Sequence, residues 1–151
     1  MTSPEHLLPL RTVLLELHAA CERLLQILQA ETEAISKRDL SALTSCGENK
    51  QAQLQAVEAL ETQRRQALLQ LGWQDGAEFP DASLNELWQA VLQQLQQCQN
   101  ANEVNGALLR NQQDLVQKTL DIMSGGNGPA TLYQADGTAT RSASKLPIAK
   151  A

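Results

Sequence analysis

Histidines, cysteines and carboxylates are the side chains of this chain that could do chemistry, and their spacing matches no common catalytic or metal site. His6 and His18 lie twelve residues apart, which is not a metal-ligand spacing. Cys21, Cys46 and Cys98 are widely separated and form no CxxC pair, so neither a zinc site nor a disulfide framework is indicated. The chain has no P-loop, no GxGxxG and no nucleophile elbow. We therefore expect no enzyme activity, no catalytic residues, no metal and no cofactor.

Charge and composition narrow the class of partner. The net charge is −5 and the sequence pI is about 5.0, which disfavours binding to nucleic acid or to an anionic membrane. The apolar stretches are only a few residues long, whereas a membrane span needs about 20. The first residues lack the basic and apolar regions of a signal peptide. We expect a cytoplasmic protein that binds other proteins and does not insert into membranes.

An apolar repeat with alternating spacings of three and four predicts a long first helix. It runs from Leu7 to Ile35, and Glu31 is the one polar residue among its nine positions. This spacing places all nine on one face of a helix, as in a coiled coil. Leu8, Leu15 and Leu25 are predicted to widen that face, so that the helix contacts two neighbours.

Two further helices and a tail complete the predicted organisation. The helices span about residues 5–37, 39–71 and 83–123, and short connections favour antiparallel neighbours. Asp39 is a predicted N-cap, Gly72 a predicted left-handed helix end, and Ser83 the first residue of a predicted capping box. The fold class is thus an all-α, elongated antiparallel three-helix bundle over residues 1–123. Residues 124–151, rich in Gly, Ser, Thr and Ala, are predicted to form a flexible, non-helical tail.

The end of the third helix is the predicted binding surface. If the helices are antiparallel, this helix extends beyond its partners by up to two turns, which would leave Val116, Leu120, Ile122 and Met123 uncovered. A row of apolar side chains of this kind is a candidate interface. In the tail, Tyr133 stands beside Leu132 as the only aromatic residue and has no evident packing role. Aromatic anchors often fill a pocket on a partner, so both residues are predicted to bind one.

Several stretches of the chain together resemble the FlgN family of flagellar type III export chaperones. They are residues 36–40 (SKRDL) with 48–50 (ENK), 60–65 (LETQRR), 102–109 (NEVNGALL) and 131–137 (TLYQADG). The third resembles the family's Asn-x-x-Asn-Gly pattern, and the fourth its Leu-Tyr-Gly-x-x-Gly tail motif, with Gln134 in place of the first Gly. The resemblance covers nearly the whole chain.

The resemblance implies a function that the residue patterns do not by themselves reveal. Such chaperones bind the C-terminal helices of the hook-filament junction proteins FlgK and FlgL, keep them unassembled, and deliver them to the export gate. Tyr133 would correspond to the tail tyrosine that docks on the gate's cytoplasmic domain, FlhA. Our hypothesis is that the cargo helix packs on Leu109, Val116, Leu120 and Met123.

Two other functions and the oligomeric state stay open. The chain could be a structural coiled-coil protein that only self-associates, in which case it forms a stable oligomer and binds no cargo. It could also be a chaperone for another secretion cargo, such as a filament-cap protein or flagellin. A wide apolar face suits a monomer or a dimer equally.

Overall fold

Three α-helices make up nearly all of residues 4–124, the part of the chain that the computed structural model describes. They are α1 (Pro4–Lys37), α2 (Leu40–Leu71) and α3 (Ala82–Met123), and no strand occurs between Pro4 and Ser124. The all-α prediction is confirmed, and each helix end lies within one residue of its expected position. The chain divides into two units, residues 1–101 and 102–151, which we describe separately.

The predicted apolar face of α1 forms the centre of the first unit. All nine of its positions from Leu7 to Ile35 are buried, including Glu31. Six of the nine belong to two apolar clusters: the main one also includes residues of α2, of the α2–α3 loop and of α3, and the smaller second one includes residues of α3. The main cluster contains Leu7, Leu10, Val13, Leu14, Leu17, Ala67, Leu68, Phe79, Leu84 and Val91. The second contains Leu24, Leu28 and Cys98, with Leu25 and Ala101 packed against it.

Side-chain contacts give the directions of the three helices within residues 1–101. Gln53 Nε2 donates to the carbonyl oxygen of Ala20 at 2.9 Å, and Lys50 contacts Glu31, so α2 runs antiparallel to α1. Arg11 Nη2 donates to Ser83 Oγ at 2.7 Å, and the Cys98 thiol donates to the carbonyl oxygen of Cys21, so the beginning of α3 runs parallel to α1. The face of α1 thus contacts two neighbouring helices, as the repeat predicted.

The width of the buried face of α1 differs from the expectation on one side. Leu8 and Leu15 were predicted to widen it, but they are 59% and 54% exposed. The buried face extends instead through Val13, Ala20 and Ala34, each of which precedes a position of the repeat. Both sides of the repeat carry apolar residues, and the packing of α2 and α3 decides which side is covered.

The turn between α1 and α2 is a Schellman motif built on a residue other than glycine. Arg38 has φ of 54°, its N–H donates to the carbonyl of Ile35, and the N–H of Asp39 donates to that of Ala34. The Asp39 carboxylate then accepts from the N–H of Ala42 at 3.0 Å. The predicted N-cap is confirmed.

The end of α2 repeats this arrangement with a glycine. Gly72 has φ of 70°, and the N–H of Trp73 donates to the carbonyl of Leu68 at 3.0 Å. Trp73 also packs against the main cluster that contains Leu68. The predicted left-handed helix end is confirmed.

The capping box predicted at Ser83 is wrong. Asp81 is the N-cap of α3, since its carboxylate accepts from the N–H of Leu84 at 3.0 Å. The Ser83 hydroxyl donates to the same carboxylate at 2.8 Å. The ionised Asp81 is the stronger acceptor for a free helix amide, and these hydrogen bonds lower its pKa.

Arg64 holds the α2–α3 loop against the bundle. Its buried guanidinium bonds both Glu61 and Asp75, and it stacks 4.4 Å from the centre of the Trp88 ring. Phe79, a buried residue of the loop, lies between Trp73 and Trp88 with ring centroids 5.8 and 6.3 Å away. The two tryptophans therefore complete the core at this end.

An ion pair lies in the interior between α1 and α2. Lys50 Nζ is 3.0 Å from Glu31 Oε2 and 3.3 Å from Oε1, and both residues are buried. Glu31, in the apolar repeat of α1, and Lys50 of α2 can both be buried because each charge compensates the other.

A candidate partner-binding surface on the last turns of α3

The second unit contributes the last half of α3, and its final turns carry a run of exposed apolar side chains. Val116 and Leu120 are 55% and 53% exposed, and Ile122 and Met123 are 76% and 78% exposed. Nearly every residue from Asp114 to Ser124 is exposed. Four of the five residues predicted to bind cargo therefore lie together on an accessible surface.

The fifth predicted residue is placed differently. Leu109 is only 6% exposed, and Asn105, one turn earlier, is 1% exposed. Both belong to the same face of α3 as Val116, because four and seven residues are close to one and two helical turns. Leu109 is thus not accessible to a partner in this structure, and on this face of α3 the exposed apolar residues begin only at Val116.

Helical geometry sorts the exposed apolar residues into two stripes. Successive residues are about 100° apart around a helix. Val116, Leu120 and Met123, spaced by four and three, form one stripe, which we call stripe A. Val104, Leu115 and Ile122, spaced by eleven and seven, form another, which we call stripe B. All six are more than half exposed.

The sequence analysis missed stripe B apart from Ile122. Val104 and Leu115 were assigned to no binding surface, although both are exposed. The seven-residue spacing of Leu115 and Ile122 was the signal that could have identified them.

Two polar side chains of the last turns of α3 form hydrogen bonds within the helix. Thr119, between the stripes, donates its hydroxyl to the carbonyl of Leu115 at 2.9 Å. Gln117 Nε2, on the opposite side, donates to Asp121 Oδ1 at 3.0 Å. A partner that covers the stripes therefore leaves no donor of Thr119 unsatisfied, which lowers the cost of removing water.

The predicted gate-docking residues, Leu132 and Tyr133, lie outside the described residues. Their assignment stays a prediction.

The histidines and cysteines lie outside the last turns of α3. Within residues 4–124, no group of three or more His, Cys, Asp or Glu could hold a metal ion. His18 Nδ1 lies 3.4 Å from Glu22 on the next turn of α1, an ordinary helix-surface pair. No helix in this range is both long and apolar enough to span a membrane.

The three cysteines are free and buried. Burial raises the pKa of Cys21 to about 11, with a smaller contribution from Cys98, and it also raises the pKa of Cys46 and Cys98. The Cys98 thiol donates to the carbonyl of Cys21 at 3.3 Å. Thiols of raised pKa are poor nucleophiles, so these side chains serve the packing of the first unit.

Comparison with known proteins gives a consistent set of relatives. The FlgN protein family profile matches residues 8–141. The flagella synthesis protein FlgN of Salmonella typhimurium is 30% identical over 113 residues, which cover 74% of this chain and 76% of that protein. The same values hold for the flagella synthesis protein FlgN of Salmonella typhi. No solved structure shows a significant match.

Proposed function

The chain belongs to the FlgN family of flagellar export chaperones, and on that premise we propose that it is a cytoplasmic chaperone for hook-filament junction proteins of the FlgK and FlgL type. It binds their C-terminal helices, prevents their premature assembly, and delivers them to the export gate. It acts by binding alone, without catalysis or a cofactor.

The observation that supports this proposal is the exposed apolar surface at the end of α3. Four large aliphatic side chains within eight residues, Val116, Leu120, Ile122 and Met123, are more than half exposed. Full burial of such a side chain is worth about 1.5–3 kcal/mol, so a partner that covers them gains appreciable free energy. An amphipathic helix is a suitable occupant because its own apolar face would otherwise be free to self-assemble.

Calorimetric titration with the C-terminal helical region of a FlgK-type protein tests the binding. We expect a one-to-one complex of micromolar or tighter affinity, with the self-association of the cargo suppressed in light scattering. A stable homo-oligomer that binds no cargo would favour the structural coiled-coil function instead. Binding only to a filament-cap protein or to flagellin would favour a chaperone for another cargo.

A double variant tests the surface itself. Leu120→Asp with Met123→Asp should abolish cargo binding while the helical circular dichroism spectrum persists, because two charges would have to be buried against the cargo helix. Leu8→Asp with Leu15→Asp is the matched control, since these leucines are similarly exposed on α1. Unchanged affinity in the first variant, or equal losses in both, would contradict the assignment.

We assign gate docking to Leu132 and Tyr133, on a gate domain of the FlhA type. Tyr133→Ala should leave cargo affinity unchanged and abolish export of the cargo in motile cells. Loss of cargo affinity in this variant would instead make the tail part of the cargo site.

A further inference from the structure

The exposed apolar surface of α3 is wider than one partner helix covers. Measured around the helix at about 100° per residue, stripe B lies at one edge and Leu120 of stripe A at the other, about 160° apart. A seam between two helices of a coiled coil is narrower than this. The width of the surface therefore carries information about the number of helices in the partner.

The first unit supplies a measure of that width from the same chain. Between Leu7 and Cys21, the buried residues of α1 span about 140° around the helix axis. In this stretch α1 packs against both α2, through Ala67 and Leu68, and α3, through Leu84 and Val91. A helix of this protein that contacts two neighbours thus has a covered arc close in width to the exposed apolar arc of α3.

The residue at the middle of the exposed arc suits an interior position. Thr119 lies between the two stripes, and its hydroxyl is already bonded to the carbonyl of Leu115. The polar side chains Arg110, Asp114, Gln117 and Asp121 project on the opposite side of the helix, where water reaches them. Between residues 114 and 123, the arc from Ile122 through Thr119 to Leu120 can therefore be buried without leaving a charge or a free donor beneath the partner.

Because the apolar arc of α3 is about as wide as the arc that two neighbours cover on α1, we infer that the partner presents two amphipathic helices, not one. The last turns of α3 complete a three-helix bundle with them. One helix packs along stripe A and the other along stripe B. This inference rests on the proposed function, since it specifies the form in which the cargo is held at the same surface.

Single substitutions at the two edges of the arc test the inference. The edges are too far apart for one helix to contact both, so Leu120→Ser reports on stripe A and Ile122→Ser on stripe B. We expect each to weaken binding of the intact C-terminal region of a FlgK-type protein by about tenfold, and the double variant by about a hundredfold. Leu15→Ser, at an equally exposed leucine of α1, should change the affinity by less than about twofold.

Peptides that each contain one helix of the cargo region provide the second measurement. We expect two different peptides to bind, one weakened only by Leu120→Ser and the other only by Ile122→Ser. The intact region should bind more tightly than either peptide, because the second helix then binds within the same complex.

Three outcomes would overturn the inference, and only the last of them would also contradict the proposed function. If one peptide reproduces the full affinity and either edge variant has no effect on the intact region, the cargo contributes one helix and the proposed function stands. If the free protein is a dimer that Ile122→Ser alone dissociates while cargo affinity is unchanged, stripe B belongs to a second copy. If the wild-type protein binds no form of the cargo, the proposed function fails as well.

Discussion

Arg38 occupies the one left-handed backbone position that a residue other than glycine takes between Pro4 and Ser124. At the equivalent position after α2 the chain has Gly72. A side chain with a Cβ atom raises the energy of this conformation, by about 1–2 kcal/mol in a left-handed helix. The α1–α2 turn is therefore strained at one residue, while its hydrogen bonds are all formed.

Replacement of Arg38 by glycine should stabilise the protein. We expect the free energy of unfolding to rise by about 0.5–1 kcal/mol, because the strain is relieved by more than the added flexibility of the unfolded chain costs. Urea denaturation followed by circular dichroism measures the change. Gly72→Ala is the reciprocal control: its new Cβ meets open space, so any loss of about 1 kcal/mol is due to the backbone conformation. A less stable Arg38→Gly variant would contradict the argument.

Asp75 makes part of the stability dependent on pH. The hydrogen bond from Arg64 lowers the pKa of this carboxyl in the folded protein. A group whose pKa is lower when folded stabilises the protein above its unfolded pKa of about 3.9, and the contribution is lost as the pH falls through the folded pKa. Asp75 therefore contributes fully near neutral pH and progressively less in acid.

The variant Asp75→Asn should be less stable than wild type near neutral pH and should lose less stability on acidification below about pH 4. Urea midpoints measured across this range give the comparison. Glu78→Gln is a control from the same loop, since Glu78 bonds the neutral amide of Asn85 and not Arg64. Parallel pH profiles for wild type and Asp75→Asn would mean that this carboxylate does not link folding to protons.

The interface between α1 and α2 contains both apolar packing and a buried ion pair. Ala67 and Leu68 of α2 belong to the main cluster, and farther along, towards the turn at Arg38, Glu31 and Lys50 form their buried pair. Removal of one member of such a pair leaves the other charge buried without a compensating charge. Replacement of both by apolar residues removes two desolvated charges together.

Lys50→Met should therefore destabilise the protein by about 3 kcal/mol or more, and Glu31→Leu with Lys50→Met should recover most of that loss. A double-mutant cycle from urea unfolding, completed with Glu31→Leu, measures the coupling. The matched control is the exposed pair Glu33 and Lys37, 2.7 Å apart on α1, whose removal should change the stability far less because solvent screens both charges. Additive effects at residues 31 and 50 would show that the buried pair contributes no coupling.

Buried side chains are unevenly distributed over the described chain. We expect a helix segment to unfold locally more often where fewer of its side chains are buried. The deeply buried aliphatic side chains concentrate between Leu7 and Leu28, at Leu68, and between Leu84 and Val91, whereas residues 114–124 have almost no buried side chain. Amide hydrogens exchange fastest where few apolar contacts must be broken to open a helix.

Hydrogen exchange followed by mass spectrometry should show this order. We expect peptides from 114–123 to exchange fastest among the helices, and those from 10–24 slowest. Addition of the cargo region should slow exchange at 114–123 and leave 10–24 nearly unchanged. Equal protection of both segments in the free protein would contradict the link between burial and local stability, and cargo protection confined to 10–24 would move the binding surface to α1.

The sequence by itself determined the features that depend on neighbours along the chain. The helix lengths, the N-cap at Asp39, the left-handed end at Gly72 and the buried repeat of α1 all follow from spacings of a few residues. These features are local because helix hydrogen bonds and caps join groups at most five positions apart. The apolar residues at the end of α3 were predicted from the helix lengths and the short connections, because antiparallel pairing would leave the end of the longest helix beyond its partners.

Only the tertiary structure decided which faces are covered and which distant groups meet. Leu8 and Leu15 are the same residue type as the buried leucines beside them. They are exposed only because α2 and α3 pack on the other side of α1. The pairing of Glu31 with Lys50, and of Arg64 with Asp75 and Trp88, joins residues from different elements that no local pattern links. Burial and ion pairing depend on the approach of distant segments, and the free energy of that approach is a sum over the whole packed interior, which no window of sequence contains.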